Sequence, residues 1–525
     1  MCGGNMKKAL SIVVAVALLL SFSACDPSEP FEREIPVTET FGDAVHIALS
    51  DDMTEAPEGV TLSHDIVYYE AGRDFTYGEG TEADAHSAEE AAEHLVVTIT
   101  EPGDYLLTGT LTRGQIAVDL GEEAKDDPDA VVTLILGGVD ITCTVAPAVI
   151  FYNVYECGDA DTPAKDVDTS AAGANVIVAD YTNNTVRGSY VARIYKSVEL
   201  SEDGTEVIDS KKLHKYDGAF YSKMSMNVNG EAEDEGYLYI YGENEGLDSE
   251  MHLTINGGYI QIRSGNDGIN TNEDGVSVAT VNGGFLDIVV DDDAAEGDGI
   301  DSNGWIVING GTVQAYACGT SADAGLDADM GVDLNGGIVD ASGNMMDAKL
   351  GGTATYMVLQ FTQRQRALTQ VYLCEAATPE GRVKVAANPC NDYQYLLLAS
   401  PELEPGEYAV WQLEKDPIRL KGYASDDMGF GGIRPPEAME RPEGMELPEG
   451  MEPPEGMERP EGMERPEGME PPEGMELPNG MERPEGMEHP NGMQRPNGMG
   501  GMPQGSSEAD DVFTIFEGGN VFTIA

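Results

Sequence analysis

Short apolar runs that alternate with polar positions recur through the middle of the chain and turn over at regularly placed Asn-Gly pairs. The pairs are Asn229-Gly230, Asn256-Gly257, Asn282-Gly283, Asn309-Gly310 and Asn335-Gly336, at successive spacings of 27, 26, 27 and 26 residues. From the second copy onward another glycine follows: Gly258, Gly284, Gly311 and Gly337. Strand patterns flank each copy, such as Leu253-Thr254-Ile255 before Tyr259-Ile260-Gln261-Ile262, and Trp305 to Ile308 before Thr312 to Ala315. Asn and Gly tolerate positive φ, so each copy reads as a tight corner between strands. A helical repeat of similar length needs apolar positions at a 3.6-residue period, and that period is absent.

A period near 26 with several strands per repeat predicts an all-β chain wound as a right-handed parallel β-helix, whose turns share one core. The strand patterns at Tyr105–Leu107, Gln115–Val118 and Val131–Leu136 read as its first turns, and residues 155–215 as turns with an inserted loop. The β-helix is expected over 91–352, after a tether and lead-in at 26–90 in which Ala88–His94 has a helical pattern. Strands without the corner repeat fill 353–423 and are expected to form a C-terminal β cap over the open end.

Beyond the cap, residues 424–510 contain a hexapeptide repeat, Met-Glu-Arg-Pro-Glu-Gly and variants, with Met at 439 and every six residues to 499. Pro and Gly in every unit oppose helix and packed sheet, so this acidic stretch is expected to be a disordered insertion. Residues 511–525 alternate again and read as a strand that returns to pair with the 353–423 region.

Charge changes the picture most. The 525 residues carry 95 Asp and Glu against 29 Lys and Arg, a formal net charge of -66. Such a surface repels nucleic acid and anionic lipid. Between 437 and 499 there are 17 Glu and 5 Arg, a net of -12, so the remainder still carries -54. The folded part is itself acidic, and a compact state of that charge benefits from bound cations.

Aligning the repeats on their corners exposes a second motif. It reads Glu245-Gly-Leu-Asp248-Ser-Glu250, Asp267-Gly-Ile-Asn270-Thr-Asn272, Asp298-Gly-Ile-Asp301-Ser-Asn303 and Ala324-Gly-Leu-Asp327-Ala-Asp329. An edge version runs from Asn344 to Lys349 through Asp347, and Asp217 to Lys223 is a candidate earlier one. The apolar residue of each (Leu247, Ile269, Ile300, Leu326) is expected to face the core and its neighbours to face out. Stacking would then place like carboxylates ~4.8 Å apart, where two charges repel by about 3 kcal/mol at an effective dielectric near 20. Protonation relieves this, and so does a cation. Oxygen ligands in flexible number suit Ca²⁺, whereas zinc and copper favour the His and Cys that are missing here. Candidate ligands are Asp248, Asp267, Asn270, Asp298, Asp301, Asn303, Asp327 and Asp329, with Asp291 to Asp293 and Glu296 in an adjoining loop. Asn ladders and Asp-Gly turns also occur for purely structural reasons, and that alternative stays open.

With these motifs in view, the chain resembles the clostridial calcium-dependent carbohydrate-binding β-helix family, proteins of pectate-lyase-like architecture. The resemblance runs from about Leu95 to Trp411. It takes in Gly103-Asp-Tyr-Leu-Leu-Thr-Gly109, the 136–142 stretch Leu-Gly-Gly-Val-Asp-Ile-Thr, the Asp-Gly-Ile turns and Ala399-Ser400-Pro401 through Gly406 to Tyr408. It implies non-catalytic binding of plant-type acidic polysaccharide, polygalacturonate, or of cellulose, by a monomer at the cell surface, with calcium held by the corner aspartates. Ca²⁺ bridging protein and uronate carboxylates would let one anionic polymer bind another. Tyr241, Tyr259 and Arg263 beside the columns are the candidate sugar contacts.

Two other functions stay open. A lyase needs Ca²⁺ and a basic residue to abstract a proton beside the uronate carboxylate, and Arg263 is the candidate among the repeats. A structural or adhesive surface protein is the third reading.

The N-terminus has the pattern of an export signal over residues 1–25. Lys7-Lys8 precedes an apolar stretch from Ala9 to Leu20, and Ala24-Cys25 resembles a lipoprotein cleavage site. Cys25 is the expected lipidation site, with a lipid anchor on the outer face of a bacterial membrane as the only membrane contact; simple secretion is the alternative. Cys2 also belongs to the leader, and the remaining five of the seven cysteines lack CxxC spacing and read as small buried residues, with Cys143–Cys157 or Cys374–Cys390 able to pair.

Overall fold

The structure is a computed structural model that describes residues 35–424 and 510–524, except 72–77, 79, 161, 202–206, 292–293, 347–348, 377–382 and 414–416. The leader with Cys25, Asp292, Asp293, Asp347 and the hexapeptide repeat lie outside the described residues.

The regular structure of the described residues is nearly all strand, with four-residue α-helices at Val37–Thr40 and Ala88–Ala91 and a 3-10 helix at Glu122–Asp126. Each repeat contributes three strands. Glu245–Ser249, Leu253–Ile255 and Tyr259–Ser264 are followed by Ile269–Thr271, Val278–Val281 and Phe285–Val290. Ile300–Ser302, Trp305–Ile308 and Thr312–Tyr316 come next. Equivalent strands pair in parallel and in register, Leu247 with Ile269 and Ile269 with Ile300, and Ile255 with Val281 and Val281 with Ile308. The register fixes which side chains stack, because alternation carries every second residue inward. Phe220, Leu247, Ile269, Ile300 and Leu326 thus form one buried apolar file.

The corners explain the regular Asn-Gly-Gly. Gly284 and Gly311 have φ of +78° and +75°, and a Cβ on either would sit 2.6–2.8 Å from backbone of the preceding corner. Their asparagines form a ladder: each Nδ2 of Asn256, Asn282, Asn309 and Asn335 donates to the Oδ1 one turn earlier at 2.8–3.0 Å.

In the irregular 155–215 segment, Ala174–Val178 and Asn183–Gly188 join the stack in parallel. The insertion is a hairpin, Val191–Leu200 against Val207–Tyr216. The last repeat strand, Ile338–Gly343, receives an antiparallel partner, Tyr393–Ala399. A five-stranded sheet follows, built on Gln370–Glu375 and Gly406–Leu413. The C-terminal segment pairs with this part of the chain. Phe513–Ile515 lies antiparallel to Gly406–Leu413, and Gly519–Ile524 lies parallel to Tyr356–Gln365. Phe513, Ile515, Phe522 and Ile524 complete a second apolar core with Leu359, Leu373 and Val410. The five described cysteines are free thiols, so neither Cys143–Cys157 nor Cys374–Cys390 is joined, and Cys143, Cys318 and Cys374 are buried. No helix among the described residues is long and apolar enough to cross a membrane.

Candidate functional site: two carboxylate clusters on one stack

The motifs of Glu245–Glu250, Asp267–Asn272 and Asp298–Asn303 stack as the register requires. Tyr221, Asp248, Asn270 and Asp301 occupy one file, each one strand further along. Two clusters result. Asp217, Glu245 and Asp248 bring carboxylate oxygens within 4.8 Å of one another, and so do Asp298, Asp301 and Asp327.

The first cluster is enclosed, which corrects the expectation that the acids flanking the apolar file face water. Asp248 is 0% and Glu245 2% exposed. The hairpin causes this, because it ends directly over the file. Tyr216 packs on Tyr221 at 5.1 Å between ring centres, Lys215 Nζ reaches Asp217 Oδ2 at 2.8 Å, and Lys212 Nζ reaches Glu250 at 3.1 Å. Asn270 Nδ2 donates to Glu245 Oε1 at 3.0 Å, and Asn272 Nδ2 to Asp248 Oδ1 at 2.6 Å. Glu245 Oε2, Asp248 Oδ2 and Asn270 Oδ1 are buried with no donor in reach. Buried oxygens of that kind are costly unless a proton or a cation meets them.

Protonation is the metal-free answer. Burial first, and then the neighbouring charges of Asp248 and Asp217, holds Glu245 well above the usual carboxylate range. Burial followed by Asp217 and Glu250 does the same to Asp248, which lies in hydrogen-bonding reach of Glu245 when one of the two carries a proton.

The second cluster is half-buried. Burial, then Asp267, pushes Asp298 up to about 10, and burial pushes Asp301 up to about 6. Asp267 lies between the clusters. It accepts from the Asp298 backbone N–H at 2.7 Å, and burial followed by the Asp301 charge pushes it up to about 8. Asp298 in turn accepts from the Ala324 N–H at 2.6 Å, so the repeat that lost its leading acid still contributes a donor.

Of the eight candidate ligands, Asp248, Asp298, Asp301 and Asp327 sit in clusters, and Asp267 and Asn270 adjoin them. Asn303 and Asp329 do not join. Asn303 Nδ2 is held by Asp274 Oδ1 and the Asn272 carbonyl, both at 2.9 Å, and Asp329 is exposed beyond the cluster. Asp217 and Glu245 are the ligand-type residues that the motif understated. Lys215 had no repeat signal at all.

The candidate sugar contacts separate. Tyr259 is half-buried, stacked on Phe285 at 4.5 Å between ring centres and meeting the Tyr237 ring at 4.9 Å with a 40° tilt, so it is engaged in packing along its own file. Tyr241 is 40% exposed with the Arg187 guanidinium 5.2 Å from its centre. Tyr241 and Arg263 line a cleft of about 600 Å³ with Glu243, Asp291 and Asn391, and Arg263 is ion-paired to Asp287 at 2.9 Å.

No curated protein gives a significant match. A solved structure described as a polysaccharide lyase-like protein from C. thermocellum, a gadolinium derivative, is 20% identical over 59% of this chain and 96% of its own, with a TM-score of 0.34. A family model described as carbohydrate-binding domain-containing protein matches residues 93–358, just over half of the chain and the span that holds both carboxylate clusters. The chain belongs to that carbohydrate-binding domain family.

Proposed function

We propose that the protein is a non-catalytic, calcium-dependent binder of acidic polysaccharide, displayed on the outer face of a bacterial membrane through a lipid on Cys25. In this reading residues 91–352 wind as a right-handed parallel β-helix, the hand that parallel crossovers almost always take. Residues 353–423 cap it.

The observation that carries the reading is the trio of buried, unpartnered oxygens on Glu245, Asp248 and Asn270 beside Asp217. Ca²⁺ accepts six to eight such oxygens in flexible geometry, and the all-oxygen set fits it better than a metal that prefers nitrogen or sulfur. The half-buried Asp298, Asp301 and Asp327 would leave part of a bound ion's coordination shell to a uronate carboxylate. The Tyr241 and Arg263 cleft, across the Gly242–Glu245 and Ser264–Asp267 corners, would hold the neighbouring sugar.

Arg263 is committed to Asp287, and the Lys215 ammonium to Asp217, so neither stands ready as the base of an elimination. The test is electrophoresis through gels containing polygalacturonate, with calcium or with a chelator, together with ultraviolet assay for unsaturated product. Retardation with calcium alone and no product is expected. Product formation would make the protein a lyase, and equal mobility in all gels would remove the binding function.

A further inference from the structure

A second groove lies on a different face of the same stack. Residues 162–169, between the strands Val149–Asn153 and Ala174–Val178, form a strap along this face. At its root Thr169 Oγ1 donates to Asn227 Oδ1 at 2.8 Å or to Thr254 Oγ1 at 2.7 Å. Near its crest Lys165 is ion-paired to Asp333. Strap and sheet enclose an open groove of about 670 Å³.

Its floor consists of two files. One runs Asn175, Asn227, Thr254, Thr280 and Val307, as the pairing register dictates. The other is the asparagine ladder. A side-chain amide has two N–H groups and two carbonyl lone pairs, and the ladder uses one of each. Asn256, Asn282 and Asn309 are exposed, so each turn offers one donor and one acceptor at the ~4.8 Å strand repeat. Sugar hydroxyls, which donate and accept at once, match that pattern. The floor from Asn175 to Val307 carries no ionised group, in a protein of net charge -66. The wall carries Asp166 and Asp168, and its one lysine is already paired, so an anionic sugar is disfavoured.

We propose that the strapped groove is a second saccharide site, one that takes an uncharged, hydroxyl-rich glycan segment and needs no metal. The proposal rests on the carbohydrate-binding reading, since the family match spans every residue of the groove. The acidic clusters and the strapped groove then serve charged and neutral segments separately.

The test uses the full chain in affinity gels of hydroxyethyl cellulose, arabinoxylan and galactomannan, run in chelator, beside polygalacturonate gels run in calcium. Thr280→Arg fills the floor, and Lys165→Ala releases the strap. At least one neutral polymer should retard the parent protein in chelator, with at least tenfold weaker retention by Thr280→Arg and unchanged polygalacturonate retention by both variants. Retention of Thr280→Arg equal to the parent's, or retardation by polygalacturonate alone, overturns the groove and spares the acidic site. Retardation by no polymer overturns both.

Discussion

Asn270 donates from Nδ2 to Glu245 Oε1 at 3.0 Å, while the other side-chain oxygen of Glu245 and the Oδ1 of Asn270 itself are buried with no donor. The same contact that orders the first cluster therefore leaves two buried acceptors unsatisfied. Asp248→Asn should relieve the crowding, because an amide supplies the missing donor. The metal-free variant is expected to melt at a higher temperature than the parent near pH 8. It should also lose its share of the gain from calcium, which for a site at about 100 times its Kd is ~2.7 kcal/mol. A lower melting temperature for the metal-free variant would show that the carboxylate is already satisfied.

The pH dependence follows from the raised carboxyls. Asp301, Asp267 and Asp298 titrate at about 6, 8 and 10 against an ordinary 3.8. Each binds its proton more tightly when folded, so its contribution is complete below the ordinary value and is lost as pH rises through the folded one. The metal-free protein should lose melting temperature steadily from about pH 4 to about pH 10. Saturating calcium should flatten or reverse that slope, because the metal binds the deprotonated groups. Thermal scans across pH with and without chelator check this, and a metal-free protein that gains stability up to pH 8 would contradict it.

The apolar file beneath the carboxylates is a separate determinant. Ile269 is buried between Leu247 and Ile300. Ile269→Ala should cost about 2–5 kcal/mol in chelator, measured by denaturant unfolding. A smaller loss would mean that the stack collapses onto the cavity.

At the other end, Phe522 packs edge-on against Phe513 at 5.1 Å in the second core. Phe522→Ala should cost about 3–5 kcal/mol, and removal of 512–525 should lower the melting temperature further. An unchanged melting curve for the truncated chain would show that these strands do not support the body.

Much of the stack was legible because one geometric constraint writes itself into every turn. The corner demands positive φ and no Cβ, so Gly258, Gly284, Gly311 and Gly337 recur at 26, 27 and 26 residues, while the apolar residues Leu247, Ile269, Ile300 and Leu326 follow less evenly at 22, 31 and 26. The alternation of Val512 to Ile524 carries a strand signal of the same kind, and the structure has strands there. What the sequence conceals is whatever lies outside the period. The Val191–Tyr216 hairpin carries no corner motif, yet it delivers Lys215, Lys212 and Tyr216 to the first cluster and encloses it. Asp217 belongs to a turn whose middle position is Tyr221 and not an acid, so the motif there looked degenerate. Sequence shows that Tyr259 supplies a ring beside the columns but not that it stacks on Phe285 and meets Tyr237. The strap at 162–169 is irregular, and only folding sets Lys165 against Asp333 and brings the strap and the asparagine ladder to one groove.

Calorimetric titration of calcium into metal-stripped protein near neutral pH tests the central claim most directly. Saturable uptake with proton release is expected, reduced by Asp248→Asn and abolished when Asp301→Asn is added. A folded protein that takes up no calcium would contradict the account.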